Sequence, residues 1–352
     1  MAFVLMTLSI INTPMSITYA CTQAVASFEE NVLFGNNEDA DWGHPLGLKP
    51  RNGVIFFYPA STQRFPGKYG CVFVGWLWEG TDISFQGGMN DQGLCYDMTA
   101  FQEVQMKQDS ERPYTKGVGE YFFARILRQC ATVDEAIDLF KRYNFEKLWM
   151  QFHLADASGD SVIISARPDG ELCFTRKAYG DGYLVATANY NSAFPESYYG
   201  PQRKRYDAAV EMLDGIENSC DLSVEWMSSV LNAVHQSGNI YTIYSNIFDI
   251  GNGKIHLYFL SQFDEVVELD LEEELSKGEH YLFMSDLFSR RGVNKAIYKY
   301  WVTTGGIITA IISALLIGLG FGIHSFRHLL SKRARESMRR TLESDPQAIG
   351  VE

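Results

Sequence analysis

The chain has 352 residues, of which 46% are hydrophobic and 21% charged, and its formal net charge is −13. This composition excludes a disordered chain, and the length is sufficient for one large domain or two ordinary ones. Nucleic-acid binding requires a basic surface, so the acidic balance argues against a nucleic-acid partner. Six cysteines are too few for a small fold held together mainly by disulfides.

The first 20 residues contain no charged side chain. Phe3–Ile11 is an apolar segment of signal-peptide length, too short to cross a bilayer as a helix. Thr18 and Ala20 are small residues at positions −3 and −1 of a possible cleavage site before Cys21. The usual basic residue near the start is missing, and a buried N-terminal strand is the alternative interpretation. We therefore predict a signal peptide over 1–20.

A second uncharged segment spans residues 302–323. Its length matches the roughly 20 apolar residues that a helix needs to cross a bilayer. Basic residues follow it within 324–352, which by the positive-inside rule places this tail in the cytoplasm. The sequence predicts one exported domain over 21–301, a transmembrane helix over 302–323 and location at the cell membrane; a buried core helix is the alternative.

The exported part alternates between blocks of strands and helices. Runs rich in β-branched and aromatic residues, bounded by turn formers, predict strands over Val54–Tyr58, Cys71–Trp78, Ile83–Phe85, Leu94–Tyr96, Met150–Asp156, Ser161–Ala166, Glu171–Arg176, Tyr183–Ala188, Ile240–Asp249, Lys254–Leu260 and Glu265–Leu269. Helical patterns are found over Tyr121–Cys130, Val133–Tyr143, Arg205–Leu213 and Leu222–His235. This order favours an α+β layered sandwich over a doubly wound parallel sheet.

Cys21 would have special chemistry as the first residue of a processed chain. A free α-amine has a pKa of about 7.7–8.0, so one residue would supply both a thiol nucleophile and a base. Two other interpretations remain open, namely a lipid-modified cysteine and an ordinary buried or disulfide-bonded one. If Cys21 is the nucleophile, five cysteines remain for at most two disulfides. Neither the cysteine nor the histidine spacing predicts a metal site, and no cofactor is expected.

Five segments carry a family resemblance. They are CTQAVASFEENVLFGNNEDADW at 21–42, GGMNDQGL at 87–94, ATANYN at 186–191, PQRKRYDAA at 201–209 and YTIYSNIFDIGNGKIHLYF at 241–259. In this order they resemble the choloylglycine hydrolase and penicillin V acylase family, which includes acid-ceramidase-like amidases. The resemblance covers about 21–275 and implies a four-layer αββα N-terminal-nucleophile hydrolase fold.

The resemblance also implies roles for single residues. Cys21 matches the family nucleophile, and Asp39 matches the aspartate that holds the cysteine's amine and thiol. Asp39 lies in a stretch rich in turn formers, so a solvated loop acid is its alternative interpretation. Asn36 stands where related hydrolases have Arg and penicillin acyltransferases have Gln. This departure argues against a bile-salt or ceramide substrate and does not affect the nucleophile.

Three further positions match active-site residues of the family. Asn189 matches a strand-end asparagine suited to an oxyanion hole, with Asn191 as the near-register alternative. Asn90 matches an asparagine beside the nucleophile, although a tight turn would need it equally. Arg203 falls on the family's active-site arginine, with Arg205 as the alternative, and a surface position at a helix start would explain either.

Together these observations predict a membrane-anchored amidase that hydrolyses linear carboxamide C–N bonds of N-acylated small molecules. The reaction would proceed through a thioester on Cys21, without a metal or cofactor. An acyltransferase of the same fold is one alternative. A non-catalytic binding or receptor module, in which Cys21 is lipidated or buried, is the other.

Overall fold

The computed structural model describes residues 21–41, 51–63, 66–77, 83–115, 119–177, 182–191, 194, 201–238, 240–303, 332–333 and 335–337. The predicted signal peptide lies outside the described residues, as do all but Val302 and Thr303 of the predicted membrane span. Within the described ranges, no helix is both long and apolar enough to cross a bilayer.

The described part of the chain is built mainly from strands. These are β1 (Thr22–Phe28), β2 (Asn31–Asp41), β3 (Gly53–Tyr58), β4 (Cys71–Leu77), β5 (Ile83–Asn90), β6 (Cys95–Gln105), β7 (Lys147–Ala155), β8 (Ser161–Ala166), β9 (Leu172–Arg176), β10 (Gly182–Thr187), β11 (Ile240–Asp249), β12 (Lys254–Phe259), β13 (Gln262–Asp270) and β14 (His280–Phe283). The helices are α1 (Gly119–Gln129), α2 (Val133–Lys141), α3 (Pro201–Leu213), α4 (Val224–Val234), α5 (Leu271–Ser276), α6 (Met284–Leu287) and α7 (Arg290–Thr303).

The strands form two antiparallel sheets. The order in the six-stranded sheet is β10-β1-β2-β11-β12-β13, and in the eight-stranded sheet it is β14-β3-β4-β5-β6-β7-β8-β9. Three buried apolar clusters separate the layers: one packs α1 and α2 on the larger sheet, one lies between the sheets, and one packs α3 and α4 on the smaller sheet. The predicted α+β sandwich is therefore present, with the layer order αββα.

Strand β1 shows how the sequence sets these layers. Ala24 and Ala26 belong to the cluster under α3 and α4, whereas Val25 belongs to the cluster between the sheets. The reason is that successive side chains of a strand point to opposite faces of the sheet. Small residues on the helix-facing side leave room for α3 and α4 to pack closely.

The predicted elements agree with the structure in order and differ at their ends. Helix α3 begins at Pro201, ahead of the predicted start at Arg205, because proline is favoured in the first turn of a helix. Strands β1, β2 and β14 and helices α5 to α7 were not among the elements predicted from the residue pattern. Strand β14 has only four residues, too few for a periodic pattern to be recognised. The six cysteines, all in the described part, are free, so the structure shows no disulfide.

One residue of the predicted cytoplasmic tail contacts the domain. Arg335 donates from Nη2 to the carbonyl of Arg51 at 3.0 Å and to Ser285 Oγ at 3.2 Å. Its guanidinium also lies 4.5 Å from the ring centroid of Phe283. A bilayer with a hydrocarbon core of about 30 Å would separate a cytoplasmic tail from an exported domain. The single-pass topology stays a prediction, because all but two residues of the predicted span lie outside the described residues.

A buried arginine fixes the chain segment that follows β3. Arg128, near the end of α1, is 1% exposed. Its Nη1 donates to the carbonyls of Tyr58, Pro59 and Tyr69, and its Nη2 donates to the carbonyl of Ala60. No described carboxylate forms an ion pair with this guanidinium. Its charge is therefore compensated by carbonyl dipoles of the segment that it holds.

We expect Arg128→Met to lower the free energy of unfolding by about 2–4 kcal/mol, because several carbonyls lose their donor. Arg142→Met is the matched control, since Arg142 is exposed and bonds only the carbonyl of Asp138; a change within about 0.5 kcal/mol is expected there. Urea unfolding of both variants measures the difference. Equal midpoints would contradict this role of Arg128.

Candidate active site

Cys21 lies at the head of β1, between β2 and β10. The register pairs its neighbour Thr22 with Asn37 on one side and with Thr187 on the other. The carbonyl of Cys21 accepts a hydrogen bond from the backbone N–H of Ala188 at 2.9 Å. The residue is 1% exposed. Two neighbouring strands therefore fix the backbone of the predicted nucleophile.

The sulfur of Cys21 faces a carboxyl group that the sequence analysis did not single out. Sγ donates to Glu38 Oε1 at 3.3 Å and lies 3.9 Å from the backbone carbonyl oxygen of Asp39. Glu38 is completely buried. The side chain in contact with the thiol is thus Glu38, whereas Asp39 reaches the thiol only through its backbone.

The pleat of β2 explains this difference. Asn37 donates to the carbonyl of Leu231 in α4 at 2.8 Å, and Asp39 pairs with Arg205 of α3. These two side chains therefore point towards the helices. Glu38, one position away from each, points to the space between the sheets, because the side-chain period of a strand is two.

Asp39 belongs to a buried polar group on the helix-facing side. Arg205 Nη1 donates to Asp39 Oδ2 at 2.9 Å and to Thr22 Oγ1 at 2.7 Å, and the Thr242 hydroxyl donates to Asp39 Oδ1. Burial raises the pKa of Asp39 to about 7, while Arg205 and Thr242 act in the opposite direction. The group links α3 to β1, β2 and β11.

The arginine of the site is Arg205, the alternative in the sequence analysis, and not Arg203. Arg203 is exposed on α3, with Nε 3.6 Å from the carboxylate of Asp207. Arg205 is 9% exposed, and its Nε and Nη2 have no hydrogen-bond partner in the structure. Two buried N–H-bearing nitrogens are therefore available for an anion or a polarised carbonyl oxygen.

Asn90 has a structural role and lies away from the sulfur. Its Oδ1 accepts from the backbone N–H groups of Gln92 and Leu94, and its Nδ2 donates to the carbonyls of Leu127 and Cys130, both at 2.8 Å. These bonds direct it towards α1, on the outer face of the larger sheet. These contacts agree with the alternative interpretation of Asn90, namely that a tight turn requires it.

Asn189 lies in the turn after β10, next to the residue that bonds the Cys21 carbonyl. Its backbone has φ of +56°, a left-handed conformation that asparagine tolerates. Its backbone N–H donates to the carbonyl of Ala100 at 2.8 Å, and its side chain makes no hydrogen bond to a described residue. The alternative, Asn191, is already bound to a serine of β8. Of the two asparagines, Asn189 is therefore the one whose amide is unbound among the described residues, one residue along the chain from the group that bonds Cys21.

A second buried carboxyl group lies on the same face as Glu38. Asp97 of β6 accepts from Gln23 Nε2 at 2.9 Å and from the backbone N–H of Met98 at 2.7 Å. Burial raises the pKa of Asp97 to about 8. Burial also raises the pKa of Glu38 well above its usual range, and the charge of Asp97 acts in the same direction.

The sequence held only weak signals for these two acids. Asp97 interrupts a run of apolar residues in a predicted strand region, between Tyr96 and Met98. Glu38 lies within the GNNED segment, and only its even spacing from Phe34 on β2 indicates that it faces the interior.

Burial raises the pKa of the Cys21 thiol well above its usual range, and Glu38 and then Asp39 add to that rise.

Comparison with solved structures identifies the fold class. A variant of conjugated bile acid hydrolase from Clostridium perfringens aligns with a TM-score of 0.56 at 14% identity, covering 74% of this chain and 96% of that chain. Penicillin V acylase from Agrobacterium tumefaciens aligns with a TM-score of 0.50 at 17% identity, covering 72% and 87%. The chain thus shares their two-sheet sandwich. No curated protein sequence matches it.

The family follows from the sequence itself. The family model described as acyl-coenzyme A:6-aminopenicillanic acid acyl-transferase matches residues 80–262, just over half of the chain. The chain belongs to this family. The match confirms the resemblance inferred from the five segments.

We expect Arg205→Ala to lower the free energy of unfolding by about 3–5 kcal/mol, because it leaves Asp39 buried without its counter-ion. Arg203→Ala, two positions away on the same helix, should change it by no more than about 0.5 kcal/mol, because Arg203 is exposed. Urea unfolding measures both. A larger loss for Arg203→Ala would place the arginine of the site at 203.

Proposed function

We propose that the chain is an amide hydrolase of the N-terminal-nucleophile type, with Cys21 as its nucleophile. The observation that carries the proposal is the position of Cys21. It stands at the head of a central strand, with its sulfur bonded to one carboxyl group and Arg205 bonded to its neighbour Thr22. Family membership and the shared fold support the same class of chemistry.

The proposed reaction begins with removal of residues 1–20, which frees the α-amine of Cys21. The S–H bond breaks as sulfur bonds to the amide carbon, and the α-amine takes the proton. The proposal assigns the oxyanion donor to the side-chain amide of Asn189, whose chain neighbour Ala188 bonds the Cys21 carbonyl. The proton then passes to the leaving amine as the C–N bond breaks, and water hydrolyses the thioester.

The proposed substrates are N-acylated small molecules with a linear amide bond. The two structural relatives are named for hydrolysis of conjugated bile acid and as an acylase of penicillin V. Asn36 carries no charge, and its Nδ2 lies 3.5 Å from Glu38 Oε2 and 3.4 Å from Asn246 Oδ1. The face between the sheets therefore offers acids and amides to a substrate, and favours a neutral one over an anion.

Acyl transfer is a second candidate, because the matching family is described as an acyl-transferase. In that reaction an amine, instead of water, attacks the thioester on Cys21. Product analysis with and without an added primary amine separates the two. An N-acylated form of the added amine as the main product would identify a transferase.

Cys21→Ser is expected to reduce turnover of an N-acyl amide by at least about 1000-fold without loss of folding, because the thiol forms the intermediate. Cys173→Ser and Cys220→Ser, at the two more exposed cysteines, are the controls and should retain activity. Mass spectrometry of protein from native membranes should find unmodified Cys21 at the N-terminus. Retained activity of Cys21→Ser, a diacylglyceryl group on Cys21 or an intact residue 1 would each refute the proposal.

We also propose that 302–323 anchors the chain in the cell membrane, with the domain outside the cytoplasm and 324–352 inside. The length and apolar character of this segment and the basic residues after it support the anchor.

Cys220 is a natural reporter of that orientation, because it is exposed on the domain. A membrane-impermeant maleimide should label it in intact cells and should not label the Cys220→Ser variant. When Arg335→Cys is added to the Cys220→Ser variant, the new cysteine should not be labelled by the maleimide until the cells are lysed. Labelling at position 335 in intact cells would show that the tail remains on the side of the domain.

A further inference from the structure

The charges around the sulfur of Cys21 are unbalanced. Glu38 and Asp97 are fully buried on the face between the sheets, where Sγ also lies. In the described part of the chain, neither acid forms an ion pair with a lysine or arginine. The buried guanidinium of Arg205 is bound to Asp39 and serves the opposite face. The sulfur therefore faces two acids and no cation.

The same face carries buried polar atoms without a hydrogen-bond partner. Three buried acceptor atoms, Gln23 Oε1, Asn36 Oδ1 and Asp97 Oδ2, have no hydrogen-bond partner in the structure. The amide groups of Gln23 and Asn36 are directed at the two acids, at 2.9 Å from Asp97 Oδ1 and 3.5 Å from Glu38 Oε2. Two donors on this face, the Tyr244 hydroxyl and Asn246 Nδ2, are likewise unpartnered. The donors that contact Glu38 are the Cys21 thiol and, at 3.5 Å, Asn36 Nδ2, and a freed α-amine of Cys21 would add another.

We propose that Glu38 is a further catalytic residue of this site: supported by Asp97, it keeps Cys21 a neutral thiol and stabilises the α-ammonium group that forms as sulfur attacks. This proposal rests on the proposed function, which supplies the free amine. Two carbons separate the amine nitrogen from Sγ, so the amine lies within about 4 Å of the sulfur in any rotamer. Glu38 Oε1 is already 3.3 Å from that sulfur.

The physical reason is the sign of the charge that develops. A thiolate beside two buried acids is opposed by like charge, whereas an ammonium group at the same place is favoured. When the S–H bond breaks, its electron pair forms the S–C bond and the proton goes to the α-amine. Glu38 acts here in its ionised form, which the α-ammonium group beside it favours; it gains and loses no atom in this step and stabilises the positive charge that the amine acquires.

Other ionisable groups near Cys21 also affect the ionisation of its thiol. They are Asp39 on β2, Asp97 on β6, Tyr244 on β11 and Arg205 on α3. The paired charges of Asp39 and Arg205 largely cancel. Burial raises the pKa of Tyr244 well above its usual range, so its phenol stays neutral. Glu38 and Asp97 are the groups whose removal should change the ionisation of Cys21.

The test is the pH dependence of Cys21 alkylation by iodoacetamide, a neutral reagent, in the folded full chain. Mass spectrometry of the peptide that contains Cys21 separates its reaction from that of the other cysteines. Glu38→Gln keeps the size and removes the charge, and should move the midpoint at least about one pH unit lower. Asp97→Asn should move it in the same direction by less. Glu274→Gln, at a buried acid of α5, is the matched control and should leave it in place.

An unchanged midpoint in folded Glu38→Gln would overturn the proposal, as would failure of Cys21 to react at any pH that preserves the fold. If circular dichroism shows Glu38→Gln to be unfolded, Asp97→Asn decides, and an unchanged midpoint there has the same meaning. In a chain that starts at Cys21, Glu38→Gln should also move the acid limb of kcat/KM to lower pH. Absence of amide turnover with a shifted alkylation midpoint would refute the proposed function alone.

Discussion

The register between β1 and β2 determines what surrounds Cys21. Pairing of Thr22 with Asn37 places Glu38 beside the sulfur and Asp39 on the opposite face, next to Arg205. A slip of one residue would exchange these two acids, because the side-chain period of a strand is two. The buried apolar residues of β1, packed on both faces, hold the register in place.

The two faces of β2 therefore have opposite electrostatic character. On the helix side, Asp39 accepts hydrogen bonds from the guanidinium of Arg205 and the hydroxyl of Thr242, and it ties α3 to the sheet. On the other side, Glu38 has the thiol and a weakly bound amide and no cation in the described residues. Asp39, which stabilises the fold, and Glu38, which contacts the thiol, are therefore consecutive residues of β2 that lie on opposite faces of the sheet.

The sequence sufficed for the layered fold, most elements and the family, because these depend on periodicity and motif order. It was harder to predict which residue of a helix or strand points into the site. Arg203 and Arg205 are both near the start of α3, and only the packing of that helix on β1 and β10 shows that Arg205 points inward. Asn90 matched a motif that a tight turn also requires. Glu38 and Asp97 became visible only when two distant strands were brought together.

Burial of Cys21 has a consequence for its resistance to oxidation. Oxidation to sulfenic acid requires both thiolate character and access of the oxidant. Cys21 is 1% exposed and is bonded to an acid, whereas Cys220 lies open on the surface. We therefore expect peroxide to oxidise the exposed Cys220 before it oxidises Cys21.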